Sequence, residues 1–135
     1  MVGWCCMCQC DGETVDHLLL HCPAIQSLWS FVFRAFNIYW ALPRRVMDLL
    51  IGWRNWLGRH QSNIWNLAPL CLMWKVWRER NSRTFEDEKK SADQLLGSFV
   101  ESLFEWSRAG GFTTAKTVHD FVDVLHSEFS HTSLL

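Results

Sequence analysis

Apolar side chains recur along most of the chain at intervals of three and four residues, which is the spacing of one face of an α-helix. The first series follows Pro23, a residue that is tolerated at the first position of a helix, and Gln26 and Arg34 lie on the opposite side. Its apolar positions are Ile25, Leu28, Trp29, Val32, Phe33 and Phe36. The pattern predicts an amphipathic helix that begins at Pro23.

Two further helices are predicted in the middle of the chain. The first runs from Pro43 to about Leu57, where Gly58 is a natural stop, and its inward positions are Val46, Leu49, Leu50, Trp53 and either Trp56 or Leu57. The stretch SNIWNLAPLCLMWKVWRERN is apolar over most of its circumference and predicts the most buried helix, kinked or restarted near Pro69 and ended at Asn81. Its expected buried side carries Ile64, Leu67, Cys71, Trp74 and Trp77.

Two capping signals mark helices in the last third of the chain. An S-x-x-Q box begins at Ser91, and the helix that follows it is expected to end at Gly110. A T-x-x-D box at Thr117 begins the last helix, and the tail SHTSLL is expected to fray. The inward positions of the two helices are Leu95, Leu96, Phe99, Val100, Leu103 and Phe104, and then Val118, Phe121, Val122, Leu125 and Phe129.

No strand pattern and no internal repeat stands out, so the fold class is predicted to be all-α. A small zinc-knuckle-like Cys/His module at residues 4–22 leads into a bundle of four to five helices. A chain of 135 residues, 49% apolar with nine Trp and nine Phe, is long enough for one core and unlike a disordered chain. Its longest apolar run, Leu67 to Trp77, is interrupted by Pro69 and Lys75, so no membrane span is expected.

The N-terminal residues lack a secretory signal, which predicts an intracellular protein of the nucleus or cytoplasm, not a secreted one. Net charge is only −1, but residues 34–83, the basic middle segment, hold nine basic residues against two acids. Such a segment predicts salt-dependent contact with RNA or DNA phosphates, although a solvated helix face is an alternative. The candidate contacts are Arg44, Arg45, Arg54, Arg59, Lys75, Arg78, Arg80 and Arg83.

Two kinds of side chain in the basic middle segment allow more than one interpretation. Arg80 either binds phosphate or pairs with an acid such as Glu86 or Asp87. Exposed tryptophans could stack on single-stranded bases, but Trp74 and Trp77 are expected in the core.

Cysteine and histidine are concentrated at the N-terminus, where five of the six cysteines and two of the six histidines precede residue 23. Structural zinc sites use four tetrahedral ligands, commonly a Cys-x2-Cys turn and a second pair from a nearby helix or loop. Cys5 and Cys8 provide the turn, and His17 and Cys22 provide an H-x4-C pair. The spacing C-x2-C-x8-H-x4-C therefore predicts one structural zinc ion.

Other uses of the same residues remain open on spacing alone. His21 lies four residues after His17 and could replace Cys22, and Cys6 and Cys10 could form a slipped first pair. The cysteines could instead be small buried side chains, or form disulfides, which an intracellular chain disfavours. Four protein ligands would close the site and leave no position for catalysis.

Two motifs carry a resemblance to a known family. The segment CCMCQCDGETVDHLLLHCPAIQSLWSFVF contains a C-x2-C, a polar loop ending in Glu-Thr, then His, Cys, Pro and Leu-Trp; the matching positions are Cys5, Cys8, Glu13, Thr14, His17, Cys22, Pro23, Leu28 and Trp29. After YWALPRRVMDLL comes a W-x2-W-x2-R-N-x3-F signature, formed by Trp74, Trp77, Arg80, Asn81 and Phe85. Over about residues 4–106 the chain resembles the zinc-binding domain at the C-terminal end of plant LINE-type, non-LTR retrotransposon reverse transcriptases.

The resemblance implies a domain at residues 1–106, with a zinc module at 4–22 and a helical part at 23–106, followed by a C-terminal helical extension at 107–135. It favours Cys5, Cys8, His17 and Cys22 as the zinc ligands. It implies an accessory domain near nucleic acid, whose partner in the parent protein is the polymerase region. No polymerase Y-x-D-D motif occurs here, so the chain is not expected to be an enzyme, and it is interpreted as a gene fragment, a degenerate insertion or a domesticated remnant. The alternative is a structural or protein-interaction helical module, including a non-functional retroelement remnant.

Overall fold

The fold is an assembly of α-helices, seen in a computed structural model that describes residues 3–55, 63–86 and 88–130. Within these ranges there are five α-helices: α1 (Gln26–Ala35), α2 (Val46–Asn55), α3 (Asn63–Asn81), α4 (Ala92–Ala109) and α5 (Val118–Ser130). The same residues form no β-strand, only an isolated bridge between Trp4 and Gly12. The predicted all-α class, with a Cys/His module ahead of the helices, is confirmed. None of the described helices has the length and apolarity needed to cross a bilayer.

Helix α1 buries the face that its periodicity predicts. A short 3-10 turn, Pro23–Ile25, precedes it, so proline stands at the start of the helical segment as expected. Phe33 is half-buried and lies 6.4 Å from the ring of Trp53. The fully buried positions are Ile25, Leu28, Trp29, Val32, Ala35 and Phe36.

Two tryptophans join α2 to α3 at the centre of the aromatic core. The rings of Trp53 and Trp65 stack with centroids 4.1 Å apart, and Phe36 meets Trp65 edge-on at 5.1 Å. The indole of Trp53 donates to the carbonyl of Trp65 at 2.8 Å, and the indole of Trp65 donates to the carbonyl of Trp53 at 3.2 Å. Both polar atoms of this buried ring pair are therefore satisfied.

Helix α3 continues through Pro69 without a restart, in contrast to one of the two expectations for that residue. Proline has no N–H to donate to the carbonyl four residues earlier, which belongs to Trp65. The Trp53 indole donates to that same carbonyl. A side chain of the neighbouring helix thus replaces the missing hydrogen bond, which is one physical reason why the helix tolerates a proline here.

The buried side of α3 differs from the predicted one. Ile64 and Cys71 are buried as expected, but Trp74 and Trp77 keep 48% and 44% of their surface exposed, so their assignment to the core is wrong. Because apolar residues surround almost the whole helix, periodicity could not select the face that α4 covers. The side chains that are buried in addition are Trp65, Ala68, Pro69, Leu72, Met73, Val76 and Glu79.

The ends of the last helices follow their capping signals, whereas the end of α3 does not. Ser91 caps α4 in a complete capping box, and Gly110 follows its last residue. The amide of Asp120 donates to the hydroxyl of Thr117 at 3.1 Å at the start of α5. Asn81 is the last residue of α3 but does not terminate the helical backbone, since its φ is not positive and a π-helical turn, Ser82–Glu86, follows directly.

Helix α5 belongs to the same core as the earlier helices. Its Phe121 and Leu125 are fully buried, and Phe121 lies 5.4 Å from the ring of Phe104 on α4. Helix α5 also packs against α1. Several sequence predictions fall outside the described residues: those for Trp56, Leu57, Gly58, Arg59, Asp87, the side chain of Phe129 and residues 131–135.

Candidate metal centre

Cys5 and Cys8, the first pair of the candidate metal site, lie on a loop that folds back on itself. The backbone amide of Cys5 donates to the carbonyl of Asp11 at 2.9 Å, and the amide of Gln9 donates to the carbonyl of Cys5 at 2.8 Å. Gln9 has a left-handed backbone with a φ of 58°, which closes the turn after Cys8. The amide of Cys10 lies 3.4 Å from the Cys8 sulfur and donates to it. The loop is therefore built around the Cys8 sulfur.

The second pair lies on a π-helical turn, His17–His21, that the sequence did not predict. Thr14 begins this turn, because its hydroxyl accepts from the amide of His17 at 3.0 Å. The amide of Cys22 donates to the carbonyl of His17 at 2.7 Å. In an α-helix residues five apart point about 140° away from each other, whereas this wider i, i+5 turn brings them towards one side. An H-x4-C spacing can thus act as a pair.

The ligand atoms of Cys5, Cys8, His17 and Cys22 all lie within 4.8 Å of one another. The sulfurs of Cys5 and Cys22 are 3.8 Å apart, and Nε2 of His17 is 3.3 Å from the Cys8 sulfur. In a tetrahedral site with metal–sulfur bonds of about 2.3 Å, neighbouring sulfurs are about 3.8 Å apart, and a sulfur and a nitrogen about 3.5 Å apart. The cluster therefore has the size of a four-coordinate metal site and could hold one metal ion.

Burial and hydrogen bonding shift the pKa values of two thiols in the cluster, Cys8 and Cys22, in opposite directions. Burial acts to raise the pKa of the Cys8 thiol, but hydrogen bonds with the Cys10 amide and His17 outweigh burial. The net result is a pKa lowered to about 7. Burial raises the pKa of the Cys22 thiol to about 12. A bound cation favours the thiolate form of both, since a coordinating thiol is deprotonated. The exposed Asp11 carboxylate lies 3.9 Å from Nδ1 of His17, which is too far for a hydrogen bond.

The alternative ligand candidates, Cys6, Cys10 and His21, lie outside the cluster. The thiol of Cys6 points to the carbonyl of Arg80 at 3.7 Å, and the exposed thiol of Cys10 donates to the carbonyl of Cys8 at 3.1 Å. His21 is exposed and places Nε2 3.2 Å from the carbonyl of Arg44. All six cysteines are free thiols, so the disulfide alternative is wrong.

Two arginines hold the Cys/His module on the helices: Arg80 in the last turn of α3 and Arg83 in the π-helical turn Ser82–Glu86 that follows it. Nε and Nη2 of Arg80 donate to the two carboxylate oxygens of Glu13, at 2.9 and 3.3 Å. Nη1 of Arg83 donates to the carbonyl of Met7 at 3.1 Å, and its Nε donates to the buried carboxylate of Glu79 at 2.7 Å. The partner of Arg80 is thus an acid 67 positions away in the sequence, not Glu86.

Two more hydrogen bonds tie the module to the rest of the bundle. The carboxylate of Asp16 accepts from the amide of Val46, the first residue of α2, at 2.9 Å. The indole of Trp29 on α1 donates to the carbonyl of Leu19 at 2.9 Å. The π-helical turn that carries His17 is therefore held from two helices as well as from its own cap.

The predicted phosphate contacts fall into two groups. Arg44, Arg45, Arg54 and Arg78 have exposed side chains, and Lys75 is partly buried. Arg80 and Arg83 are occupied by the ion pairs with Glu13 and Glu79, and Arg59 lies outside the described residues. The i, i+4 spacing of Glu79 and Arg83 could have predicted their ion pair from the sequence, whereas nothing in the linear pattern matches Glu13 to Arg80.

The Glu13–Arg80 pair is expected to contribute a measurable part of the stability of the metal-loaded chain. Both side chains are about one-fifth exposed and form two hydrogen bonds, so a double-mutant cycle with Glu13→Gln and Arg80→Gln should give a coupling free energy of about 1 kcal/mol. Urea unfolding of the four proteins measures it. The exposed Glu88 provides the control, and Glu88→Gln combined with Arg80→Gln should show no coupling. A coupling equal to that of the control pair would contradict the prediction.

Comparison of the chain with protein-family models, with curated proteins and with solved structures finds no match.

Proposed function

We propose that the chain is a zinc-stabilised, nucleic-acid-associated accessory domain of a retroelement reverse transcriptase, with no catalytic activity of its own. The observation that carries the proposal is the cluster of Cys5, Cys8, His17 and Cys22. The ion pair between Glu13 and Arg80 supports the family resemblance, because it joins a residue of the Cys/His motif to a residue of the tryptophan motif. Two motifs far apart in the sequence are thus parts of one structural unit.

Zinc is the metal that the donor set favours. Three thiolates and one imidazole at tetrahedral separations are a common structural zinc set, and soft sulfur ligands disfavour magnesium and calcium. Four protein ligands leave no open position for water or substrate, so the ion supplies stability and no reaction. An intracellular, thiol-reducing compartment, nuclear or cytoplasmic, would keep the cysteines available for the metal.

Nucleic acid is the proposed partner because the exposed arginines of the basic middle segment can neutralise phosphates. Arg44 and Arg45 precede α2, Arg54 lies near its end and Arg78 lies on α3; all four side chains are exposed. Each neutralised phosphate releases counterions, so binding should weaken steeply with salt. Arg80 and Arg83 are left out of the proposed contacts, because their guanidinium groups hold the Cys/His module. The polymerase region of the parent protein would carry the chemistry.

Binding of the metal-loaded chain to single-stranded RNA is therefore expected to be strong only at low salt. Replacing Arg44, Arg45 and Arg54 together with glutamine should reduce the slope of log affinity against log salt by about 0.7 for each phosphate that is no longer neutralised. A salt titration of fluorescence anisotropy measures this slope. The control replaces Lys89 and Lys116 with glutamine. Both lysines are exposed and lie outside the basic middle segment, so the slope should stay unchanged. Absence of binding even at low salt would reject nucleic-acid association.

The second candidate is a helical protein-interaction module without nucleic-acid contact. Exposed apolar side chains on α2, Met47 and Ile51, favour it, and Ile51 lines a groove of about 360 Å³ together with Trp40 and Pro43. The same salt titration separates the two candidates, because a protein-interaction module gives no salt-dependent binding to RNA.

A further inference from the structure

Helix α3 presents a tryptophan stripe to the surface, formed by Leu70, Trp74, Trp77 and Arg78. These residues recur at i, i+4, i+7 and i+8 and so share one side of the helix. Leu70, Trp74 and Trp77 expose 52%, 48% and 44% of their surface. Large apolar side chains clustered in this way mark an interaction surface more often than single exposed ones do.

The stripe combines aromatic rings with positive charge. The guanidinium carbon of Arg78 lies 5.9 Å from the ring centre of Trp74, and that of Arg80 lies 5.4 Å from the ring centre of Trp77. Glu79 is the sole carboxylate in α3, and it is only 3% exposed and bound by Arg83. The exposed surface of α3 thus offers aromatic faces and a cation but no acid of its own.

We infer that the tryptophan stripe is a stacking platform for the unpaired bases of a single-stranded nucleic acid. Trp74 and Trp77 each offer ring surface to a base, and Arg78 contacts the phosphate backbone between or beside the stacked nucleotides. This inference rests on the proposed nucleic-acid association. It specifies that the nucleic acid is single-stranded and names the side chains that contact its bases and backbone. Bases within a duplex cover one another's faces, so a stacking platform selects single strands.

The charge of the stripe argues against a second copy of the chain as its occupant. In a two-fold symmetric dimer the same patch meets itself, so Arg78 would face a surface that again carries Arg78. The exposed surface of α3 supplies no carboxylate to compensate for that repulsion. A polyanion with flat aromatic groups complements both the charge and the rings.

A groove extends the same surface towards α2. Leu70 belongs to the stripe and also lines a groove of about 420 Å³, together with Arg54 and Asn66. Arg54 is exposed and is one of the predicted phosphate contacts. A strand that stacks on Trp74 could therefore continue past Leu70 and place a phosphate near Arg54.

The test compares binding of a labelled single strand of roughly 12 nucleotides with binding of its duplex. Trp74→Ala and Trp77→Ala should each weaken single-strand binding by about fivefold to a hundredfold. Trp74→Phe should recover part of the loss, because phenylalanine also stacks. Arg78→Gln should reduce the salt slope by about 0.7. Tyr39, which is 95% exposed but distant in sequence from the stripe, is the matched aromatic control, and Tyr39→Ala should bind like the parent chain.

Each outcome has one interpretation, provided that circular dichroism and metal content show each variant to be folded. Loss of single-strand binding in the tryptophan variants, with Tyr39→Ala unchanged, supports the platform. Undiminished binding in those variants, with weaker binding when Arg44, Arg45 and Arg54 are replaced, overturns the platform and leaves the proposed function standing. Equal affinity for duplex and single strand also overturns it. Absence of any nucleic-acid binding rejects the proposed function and the platform together, and self-association that disappears on Trp74→Ala overturns the platform by assigning the stripe to a second copy.

Discussion

Removal of the metal should unfold the Cys/His module and destabilise the whole chain. The purified protein is expected to contain about one zinc per chain, and Cys22→Ser should lose it, because the fully buried Cys22 is one of the four proposed ligands. Metal binding in small zinc modules contributes apparent free energies of about 10–16 kcal/mol near neutral pH, which exceeds the stability of many single domains. Metal analysis and thermal unfolding with and without a chelator measure both effects.

The control for this experiment is Cys10→Ser. Cys10 is exposed and lies outside the four-residue cluster, and the hydrogen bond that it gives to the Cys8 sulfur comes from its backbone amide. This variant should keep its zinc and its melting temperature. A metal-free parent protein that is as stable as the metal-loaded one would falsify the zinc proposal.

Loss of the metal should also destabilise the C-terminal turns of α3. Glu13 and the carbonyl of Met7 belong to the Cys/His module, and they accept hydrogen bonds from Arg80 near the end of α3 and from Arg83 in the turn after it. When the module unfolds, Arg80 loses its ion pair with Glu13 and Arg83 loses the carbonyl of Met7, while the ion pair between Arg83 and Glu79 stays within the helices. Hydrogen exchange at the C-terminal turns of α3 should therefore accelerate on chelation more than exchange in α5 does.

Trp53→Ala should be the most destabilising single change in the helical core that does not touch the metal site. The change removes a stacked ring from a packed cluster, which costs about 3–5 kcal/mol. It also takes away the donor that satisfies the Trp65 carbonyl, to which the proline at position 69 cannot donate. Urea unfolding of the metal-loaded variant measures the decrease in the free energy of unfolding.

Two further variants separate packing from hydrogen bonding. Trp53→Phe keeps a ring but loses the indole donor, so it should cost about 1–3 kcal/mol, less than Trp53→Ala. Trp74→Ala truncates a tryptophan that is about half exposed and should cost less than about 1 kcal/mol. If Trp53→Ala were no more destabilising than Trp74→Ala, the central role of the ring pair would be refuted.

Amphipathic helices could be predicted from the sequence because one side of each is polar. In α1 the polar positions around Arg34 leave a single apolar face, and the residues from Ile25 to Phe36 on that face pack into the core as predicted. In α4 the capping box at Ser91 marks the start of the helix, and Gly110 follows its end. Each of these signals is local, so no knowledge of the neighbouring helices was needed.

The buried side of helix α3 could not be predicted from local sequence signals. Its apolar residues surround most of the helix, and the choice between burying Trp74 and burying Val76 depends on where α4 packs. The expectation that Trp74 and Trp77 lie in the core was wrong for this reason. The same exposed rings form the proposed stacking platform.

The residue pattern alone was sufficient to predict the helical class, the capped start of α4 and the first pair of ligands, Cys5 and Cys8. The fold decided that Cys22 and not His21 joins the cluster, because an i, i+5 turn replaces the α-helical one after His17. It also decided that Arg80 pairs with Glu13. Spacing along a chain is a local property, whereas the partner of a charge or the covered side of an apolar helix depends on residues brought together from far apart.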